Sequence, residues 1–241
     1  MASTDIIFGL KPIREALDQN RSINRIYVAK ESHASGCTGI VDEAKARSIP
    51  FDFVPQAKVN DLTQTREHQG IAAKVSPIEY QSFNDFLRTC PDTATLLVLD
   101  QIHHPKNLGM IIRSAAAGHI DGIIWSRRGN AALGPLVIKA SAGTLYRAPL
   151  LFCASLPEAL RSCRVQGMEI CTLDAGATRT LFEHRPGGDC VYVLGNETGG
   201  ISETVSQLAD TPLSIPMGNG VESLNVAVTA SLIAYANYLD R

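Results

Sequence analysis

Two segments near the end of the chain, 191–202 and 214–231, decide how the sequence folds. Residues 191–202 read V-Y-V-L-G-N-E-T-G-G-I-S, and residues 214–231 read S-I-P-M-G-N-G-V-E-S-L-N-V-A-V-T-A-S. In each, a strand-like apolar run ends in a loop of Gly, Asn, Glu and Ser, and a helical pattern follows. Such loops lie at the carboxyl edge of a parallel sheet, where open α/β proteins bind ligands. The pattern therefore favours an enzyme on an α/β fold with a parallel sheet.

The composition supports this fold class and limits the partners. The 241 residues are 45% hydrophobic but only 6% aromatic, so the core is aliphatic, as in helices packed on a parallel sheet. The formal net charge of −2 gives no global attraction to nucleic acid, although a local basic patch would be sufficient. No run reaches the roughly 20 apolar residues of a membrane span, and the first residues lack a signal-peptide pattern. We therefore expect a soluble, cytoplasmic protein without a membrane partner.

The six cysteines give no metal-binding pattern. None of them forms a C-x-x-C pair, and none is spaced from a histidine as zinc ligands usually are. The pattern predicts scattered, reduced thiols and no metal site.

Apolar periodicity predicts two domains joined by a linker. Residues 1–76 read as a small α/β domain, residues 77–93 as a linker with a short helix at 83–88, and residues 94–241 as a larger α/β domain. Strands are predicted at 6–8, 25–29, 51–54, 70–75, 95–100, 122–125, 169–173, 191–194 and 213–215. Helices are predicted at 11–18, 39–47, 108–118, 135–142, 156–166, 202–209 and 223–239, with Ser155 as an N-cap. The alternation of strands and helices after residue 94 is typical of a parallel sheet.

A first group of candidate site residues lies in the stretch D-Q-I-H-H-P-K-N-L-G-M-I-I-R at 100–113. Asn107 falls where a helix would begin, so it is either an N-cap or a site residue. Arg113 lies six residues later in an otherwise small and apolar helix. A buried Arg requires an anion, a carboxylate or an opening to a site, whereas an Arg that reaches solvent requires none of these. The residues alone leave both alternatives open.

The two Gly-rich loops supply further candidates. Glycines in L-G-N-E-T-G-G-I, at 194–201, permit a close approach of backbone to ligand, and Glu197 follows an apolar strand. The alternative is a turn with a solvated Glu. Ser223 and Asn225 stand at the start of the last predicted helix, where capping is the ordinary role. The spacings match neither a P-loop, nor a dinucleotide fingerprint, nor a nucleophile elbow.

Taken together and in this order, three motifs resemble those of the SpoU (TrmH-like) RNA 2′-O-ribose methyltransferases of the SPOUT superfamily. They are N-L-G-M-I-I-R at 107–113, G-N-E-T-G-G at 195–200 and I-P-M-G-N-G-V-E-S-L-N-V-A-V at 215–228. The resemblance spans roughly residues 95–241. It implies that the last helix and the loop before it form a deep trefoil knot, an exception to the rule against knotted chains. The chain departs from the family at Thr198, where Gly is usual.

The resemblance also implies a cofactor and residue roles. S-adenosylmethionine would lie bent in the knot, held mainly by backbone groups of the second and third motifs. The implied cofactor-binding residues are Leu194, Gly195, Asn196, Gly199, Ile215, Met217, Ser223 and Leu224. The implied catalytic residues are Asn107, Arg113, Glu197, Ser223 and Asn225. Arg113 would lie nearest the ribose 2′-OH, as a base or as a phosphate anchor, with Glu197 orienting it or the hydroxyl, and Ser223 would cap the last helix.

The amino-terminal segment resembles the small ribosomal-protein-like RNA-binding domain of family members that modify ribosomal RNA. Its motifs are F-G-L-K-P-I-R-E-A-L at 8–17 and H-Q-G-I-A-A-K-V at 68–75, and basic residues stand at Lys11, Arg14, Arg21 and Arg25. We therefore expect a homodimer that methylates RNA, with a guanosine of large-subunit ribosomal RNA as the favoured target. A transfer-RNA 2′-O-methyltransferase and a non-catalytic RNA-binding or assembly factor remain as alternatives.

Overall fold

A computed structural model describes residues 5–30, 35–76, 80–196 and 198–236. The strands, numbered along the chain, are β1 (Asp5–Phe8), β2 (Ile23–Ala29), β3 (Phe51–Val54), β4 (Ile71–Val75), β5 (Gln81–Ser82), β6 (Thr95–Leu99), β7 (Gly122–Trp125), β8 (Leu150–Phe152), β9 (Glu169–Leu173), β10 (Cys190–Leu194) and β11 (Thr211–Leu213). The helices are α1 (Leu10–Asp18), α2 (Ser35–Ala46), α3 (Gln56–Thr63), α4 (Phe83–Leu87), α5 (Pro105–Ala117), α6 (Pro135–Ala140), α7 (Leu156–Val165), α8 (Glu203–Ser206) and α9 (Val226–Ala236), and a 3-10 turn spans Thr144–Tyr146.

The chain forms two compact units, and neither is continuous in sequence. The first joins Met1–Glu79 with Leu133–Arg147, and the second joins Tyr80–Ala132 with Ala148–Arg241. The predicted boundaries are therefore wrong in one respect, because α6 belongs to the first unit. Its Val137 and Ile138 are buried, and the helix packs beside β1. An apolar helix joins the unit that covers its apolar side, wherever it stands in the sequence.

The first unit is a four-stranded mixed sheet with helices. Its strand order is β1-β4-β2-β3, with β4 antiparallel to both neighbours and β2 parallel to β3. Fully buried apolar side chains of three strands, such as Ile7, Ile26 and Ile71, form its core. The four strands follow the runs that periodicity predicted.

The second unit is a parallel sheet of seven strands in the order β11-β9-β10-β6-β7-β8-β5. All residues of β6, β7 and β10 are buried, as expected of strands covered on both faces. The chain runs from β6 outward through β7 and β8, and then returns to the other side of β6. The order therefore reverses between β6 and β10, and a crevice forms outside their carboxyl ends. The α/β fold with a parallel sheet is confirmed.

Helices α5 and α9 lie against each other with little space between them. A side-chain carbon at Gly118, which ends α5, would stand 2.6 Å from the Cβ of Ala234 and 2.7 Å from its carbonyl oxygen. The Ser231 hydroxyl donates to the Ser114 hydroxyl at 2.7 Å. Small residues thus let the two backbones approach, which explains the Ala-rich composition of both helices.

Three predictions about elements need correction. The predicted linker at 77–93 contains β5, which pairs with β8 at the edge of the large sheet, so the linker from Tyr80 onward belongs to the second unit. The last helix begins at Val226 rather than at residue 223, and its predicted end lies outside the described residues. The sequence patterns also missed α3 and β8, because α3 is mostly polar and β8 has only three residues.

The predicted cap is confirmed, since the Ser155 side chain accepts a hydrogen bond from the Glu158 amide. Within the described parts of the chain, no helix is long and apolar enough to cross a membrane.

The first unit contains a buried histidine with a defined tautomer. His68 is 1% exposed, its Nδ1 accepts the Gly70 amide at 2.9 Å, and its Nε2 lies 2.6 Å from the Asn60 side-chain oxygen. The proton of the neutral ring is therefore on Nε2. Burial, and then the charge of Lys139, lower the pKa of His68 below its usual value.

Lowering the pH should weaken the first unit through this histidine. The pKa of His68 is lower in the folded chain, so its contribution is fully present above about pH 6.5 and is lost as the pH falls below that value. Urea unfolding at about pH 8 and about pH 5.5 should show a smaller loss of stability for His68→Gln than for the wild type. The exposed His103→Gln serves as the matched control and should lose as much stability as the wild type. Equal losses in all three proteins would contradict the assignment.

Candidate active site

The loop that leaves β10 closes on itself at the carboxyl edge of the large sheet. Asn196 and Gly200 exchange backbone hydrogen bonds of 3.0 and 3.1 Å. The Asn196 side-chain oxygen also accepts the amides of Thr198 and Gly199. Thr198 thus takes part in the turn through its amide while its side chain is exposed, so Thr in place of the usual Gly is compatible with this loop.

Gly195 is the point of closest approach in this loop. A side-chain carbon there would overlap the carbonyl group of Gly200 and the amide nitrogen of Ile201. Backbone atoms cannot move aside as the end of a flexible side chain can, so this position requires glycine.

A buried carboxylate fixes the far end of the same loop. Asp100 follows β6 and is 5% exposed, and its Oδ2 accepts the Ser202 amide at 2.7 Å. Its own amide donates to the carbonyl of Leu194 at 2.8 Å. The first residue after β6 therefore holds both ends of the loop that follows β10.

Asn225, and not Ser223, caps the last helix. The Asn225 side-chain oxygen accepts the Ala227 amide at 2.9 Å, which is the N-cap arrangement. The prediction that Ser223 caps α9 is therefore wrong, because the helix begins three residues later than the pattern indicated.

The same Asn225 reaches the first motif. Its side-chain nitrogen donates to the Asn107 side-chain oxygen at 3.3 Å, and Asn107 lies in the first turn of α5 rather than before it. One hydrogen bond thus brings together two predicted site residues that are far apart in the sequence.

A cavity of about 180 Å³ opens between the two loops. Five of the predicted cofactor residues line it, namely Leu194, Gly195, Asn196, Ser223 and Leu224. The rest of its lining is Leu173, Val193, Gly200, Ile201, Val226 and Thr229. The wall is thus mostly apolar, with backbone groups and a few small polar side chains, as in sites for small organic ligands.

The other predicted residues lie outside this cavity. Gly199 and Met217 are exposed, Ile215 is half-buried, and none of the three lines it. Glu197 lies outside the residues that the structure describes. Arg113 is exposed on α5, and no hydrogen bond or ion pair joins it to another described residue. In a single copy of the chain, Arg113 therefore reaches solvent, which is the second of the two alternatives.

A second and larger cavity, of about 440 Å³, lies at the same edge of the sheet. Asp100 and Ser202 are part of its wall, and His103 and Arg128 contribute basic groups. No sequence motif identified Arg128, which follows β7. A basic side chain just after a strand of a parallel sheet is the signal that was available.

The sequence model of the SpoU rRNA Methylase family matches residues 94–235, and that of the RNA 2′-O ribose methyltransferase substrate-binding domain matches residues 6–81. A Staphylococcus haemolyticus protein named as a TrmH family tRNA/rRNA methyltransferase is 30% identical over 98% of this chain and 96% of its own length. The chain belongs to the SpoU family of RNA methyltransferases.

Solved structures of the SpoU family share the fold. An rRNA methyltransferase from Sinorhizobium meliloti, solved with S-adenosylmethionine, has a TM-score of 0.78 at 20% identity and covers 98% of this chain and 87% of its own. A TrmH/SpoU tRNA-modifying enzyme of A. aeolicus has a TM-score of 0.53 at 19% identity and covers 62% of this chain and 76% of its own. The predictions of an RNA methyltransferase and of S-adenosylmethionine as the family's cofactor are confirmed.

Sequence reasoning also missed a cluster of potential metal ligands in this SpoU domain. Glu169, Cys171, His184 and Cys190 place their ligand atoms within 4.8 Å of one another. The intervals between these residues in the sequence match no zinc motif.

Replacing Gly195 should destroy the cavity. Gly195→Ala places a methyl group against the backbone of Gly200 and Ile201, so the loop must open. We expect the affinity for S-adenosylmethionine, measured by isothermal titration calorimetry, to fall by at least about tenfold, which is 1.4 kcal/mol. Gly188→Ala is the matched control, because nothing lies within 4 Å of the added carbon and φ there is not positive. Wild-type affinity in Gly195→Ala would show that the loop has no part in binding.

Proposed function

We propose that this SpoU protein transfers a methyl group from S-adenosylmethionine to a ribose 2′-OH, with a guanosine of large-subunit ribosomal RNA as the target. The observation that carries the proposal is the cavity between the loop after β10 and the loop before α9, joined to α5 by the Asn225–Asn107 hydrogen bond. This hydrogen bond connects the loop that lines the cavity to the helix that carries Arg113.

The cavity suits one part of the cofactor. Leu173, Val193 and Leu224 offer apolar surface to an adenine ring, and the backbone near Gly195 offers polar groups to its edge. Its volume is below the roughly 300–1,000 Å³ of most small-molecule sites. We therefore propose that the rest of S-adenosylmethionine extends along the exposed loops, where Gly199 and Met217 lie and where Glu197 belongs in the sequence. S-adenosylmethionine bound there would supply the reactive methyl group.

The reaction needs no activating metal. The ribose oxygen attacks the methyl carbon in line, the O–C bond forms as the S–C bond breaks, and S-adenosylhomocysteine leaves while the hydroxyl proton passes to a base or to solvent. Catalysis therefore consists of orienting the hydroxyl and holding the RNA backbone beside it.

Arg113 fits the role of a phosphate anchor better than that of a base. Guanidinium groups remain protonated in proteins, and they bind phosphate oxygens through two parallel hydrogen bonds. Arg113 is exposed and is not paired with a carboxylate of the described chain, so its charge is available to RNA. Asn107 and Asn225 act as positioning residues that hold α5 against the third motif.

The amino-terminal domain supports ribosomal RNA as the substrate. The S. meliloti rRNA methyltransferase matches almost the whole chain, whereas the A. aeolicus tRNA-modifying enzyme matches only 62% of it. A transfer-RNA substrate remains the second candidate, because the S. haemolyticus relative is named for both RNAs. We also propose a cytoplasmic location, where either RNA is modified.

The basic residues of the amino-terminal domain divide into two groups. Arg14 and Arg25 form ion pairs of 2.7 Å with Glu43 and Asp52. Lys11 is exposed, and no ion pair joins it to a described residue. Two of the four expected basic residues are thus paired with carboxylates, and the Arg21 guanidinium lies over the Tyr146 ring. Lys11 is therefore the member best placed to contact phosphate.

The working unit is proposed to be a homodimer formed through α5 and α9. Met110 on α5 and Val228 and Tyr235 on α9 are large apolar side chains that are 38%, 44% and 44% exposed. They lie on two helices that pack against each other, so they form one apolar face. A second copy of the same face would cover them, and Arg113 would then lie close to the interface.

Methyl mapping in a deletion strain tests the proposed activity. Sequencing of alkali-resistant positions in ribosomal and transfer RNA should show one 2′-O-methyl lost from large-subunit RNA. The wild-type gene should restore it, and Arg113→Ala should not. In vitro, Arg113→Ala should lose at least about a hundredfold in kcat, comparable to removal of an electrostatic stabiliser, while its affinity for S-adenosylmethionine stays within about threefold. Arg161→Ala, an exposed arginine on α7, is the matched control.

The outcomes of this test separate the candidates. A lost methyl on transfer RNA would identify the second candidate. Turnover of Arg113→Ala at the wild-type rate would contradict the role of Arg113. Partial activity of Arg113→Lys would support the phosphate anchor, because lysine keeps the charge but not the bidentate geometry.

A charged residue in the apolar face should separate the dimer. Val228→Asp would bury an unpaired carboxylate in the interface, at a cost of several kcal/mol. Light scattering at micromolar concentration should give the mass of a dimer for the wild type and of a monomer for Val228→Asp. Val165→Asp is the matched control, since Val165 is 84% exposed on α7 and should tolerate the charge. A monomeric wild type with full activity would contradict the proposed dimer.

A further inference from the structure

Four side chains with potential metal-binding atoms, Glu169, Cys171, His184 and Cys190, meet on strands β9 and β10 and the connection between them. The Cys171 and Cys190 sulfurs are 3.6 Å apart, and the Cys171 sulfur is 3.7 Å from the His184 Nε2. The same Nε2 is 3.1 Å from the Glu169 Oε2. All four ligand atoms lie within 4.8 Å of one another.

The three separations given above are within about 0.3 Å of those in a tetrahedral zinc centre. Zinc binds sulfur at about 2.3 Å and histidine nitrogen or carboxylate oxygen at about 2.0–2.2 Å. A tetrahedron with those bonds separates two sulfurs by about 3.8 Å, sulfur and nitrogen by about 3.6 Å, and nitrogen and oxygen by about 3.4 Å. We propose that Glu169, Cys171, His184 and Cys190 form a structural zinc site in this protein.

The surroundings of the cluster are those of a built site. His184 Nδ1 lies 3.1 Å from the Tyr192 hydroxyl, which fixes the ring and leaves Nε2 directed at the centre. The other Glu169 oxygen, Oε1, accepts the Thr211 hydroxyl at 2.6 Å. Supporting hydrogen bonds of this kind orient metal ligands and set the tautomer of a ligating histidine. The cluster therefore has both the ligands and the groups that hold them.

The burial of the cluster is also consistent with a bound metal ion. Cys171, His184 and Cys190 are fully buried, while the Glu169 side chain is 32% exposed and provides a path from solvent. Zinc would displace one proton from each thiol to solvent, and the two thiolates and the carboxylate would leave the centre with one negative charge.

The position in the fold indicates what the metal does. Glu169 and Cys190 are the first residues of parallel strands, so the cluster lies toward the amino edge of the sheet, opposite the edge with the cofactor loops. The crossover from β9 to β10, residues 174–189, contains neither helix nor strand, although most parallel crossovers contain a helix. Through His184, zinc would tie this crossover to both strands. Four protein ligands leave no open position, which is typical of structural rather than catalytic zinc.

Metal analysis of the full-length protein tests the site. The protein is purified without chelators and with a thiol-free reductant, and zinc is measured by inductively coupled plasma mass spectrometry. We expect about one zinc per chain in the wild type and in Cys163→Ala, and its loss in Cys190→Ala. Cys163 is the matched control, because it is equally buried but lies in another part of the core. Zinc retained by Cys190→Ala would overturn the proposal.

Cobalt exchange gives a second test that uses only the wild type. Cobalt in the site should show thiolate charge-transfer bands and the intense visible bands of a tetrahedral centre, and zinc should displace it. A chelator should lower the midpoint of thermal unfolding, and added zinc should restore it. Neither metal bound, with six free thiols counted after denaturation, would overturn the proposal, as would a disulfide between Cys171 and Cys190.

Discussion

The parallel pairing of β6 with β10 is the constraint on which the functional half of this molecule depends. These strands are far apart in the sequence, yet Leu99 lies beside Leu194 in the sheet. The pairing brings Asp100 to the loop after β10, where its carboxylate accepts the Ser202 amide. It also reverses the strand order at this point, and open α/β proteins bind ligands at such points. A change of this register would release the end of the loop after β10, and the cavity would be lost although its lining residues were not mutated.

The same pairing explains why the loop after β10 can be rich in glycine and still keep one shape. Glycine gives a free chain many conformations, so a Gly-rich loop loses much entropy when it is ordered. Here the backbone bonds between Asn196 and Gly200 close the loop, and Asp100 holds its end. Glycine is required at Gly195 by close backbone packing rather than by flexibility. The order of the loop therefore comes from the sheet beside it.

Much of the fold could be predicted from the sequence because its signals are local. The apolar runs of β6, β7 and β10 are continuous, and Ser155 is an N-cap followed by an amphipathic helix. The first residue of the last helix was predicted incorrectly because Ser223 and Asn225 are both good N-cap residues. Only the hydrogen bond from the Ala227 amide to the Asn225 side chain identifies the residue that caps the helix. Local pattern gives the existence of a helix more reliably than its first residue.

The features that could not be predicted are contacts between residues that are far apart in the sequence. Helix α6 lies within the second domain's sequence but packs beside β1, so no composition shift marks it as part of the first unit. The cluster around His184 likewise arises from strand register, since Cys171 stands opposite Tyr192 and so shares a face with Cys190. Spacing along the chain carries no record of either contact.

The exposure of Arg113 in a single chain is consistent with the proposed role of this residue in binding RNA. A charged group on a helix of small apolar residues would be costly to bury alone, and the fold avoids that cost by exposing it. Its neighbours on the same two helices, Met110 and Val228, are apolar and exposed as well. Covering those two with a second copy would partly desolvate Arg113, which would strengthen its attraction for an anion. In the proposed dimer, an RNA phosphate would be the anion that this environment attracts.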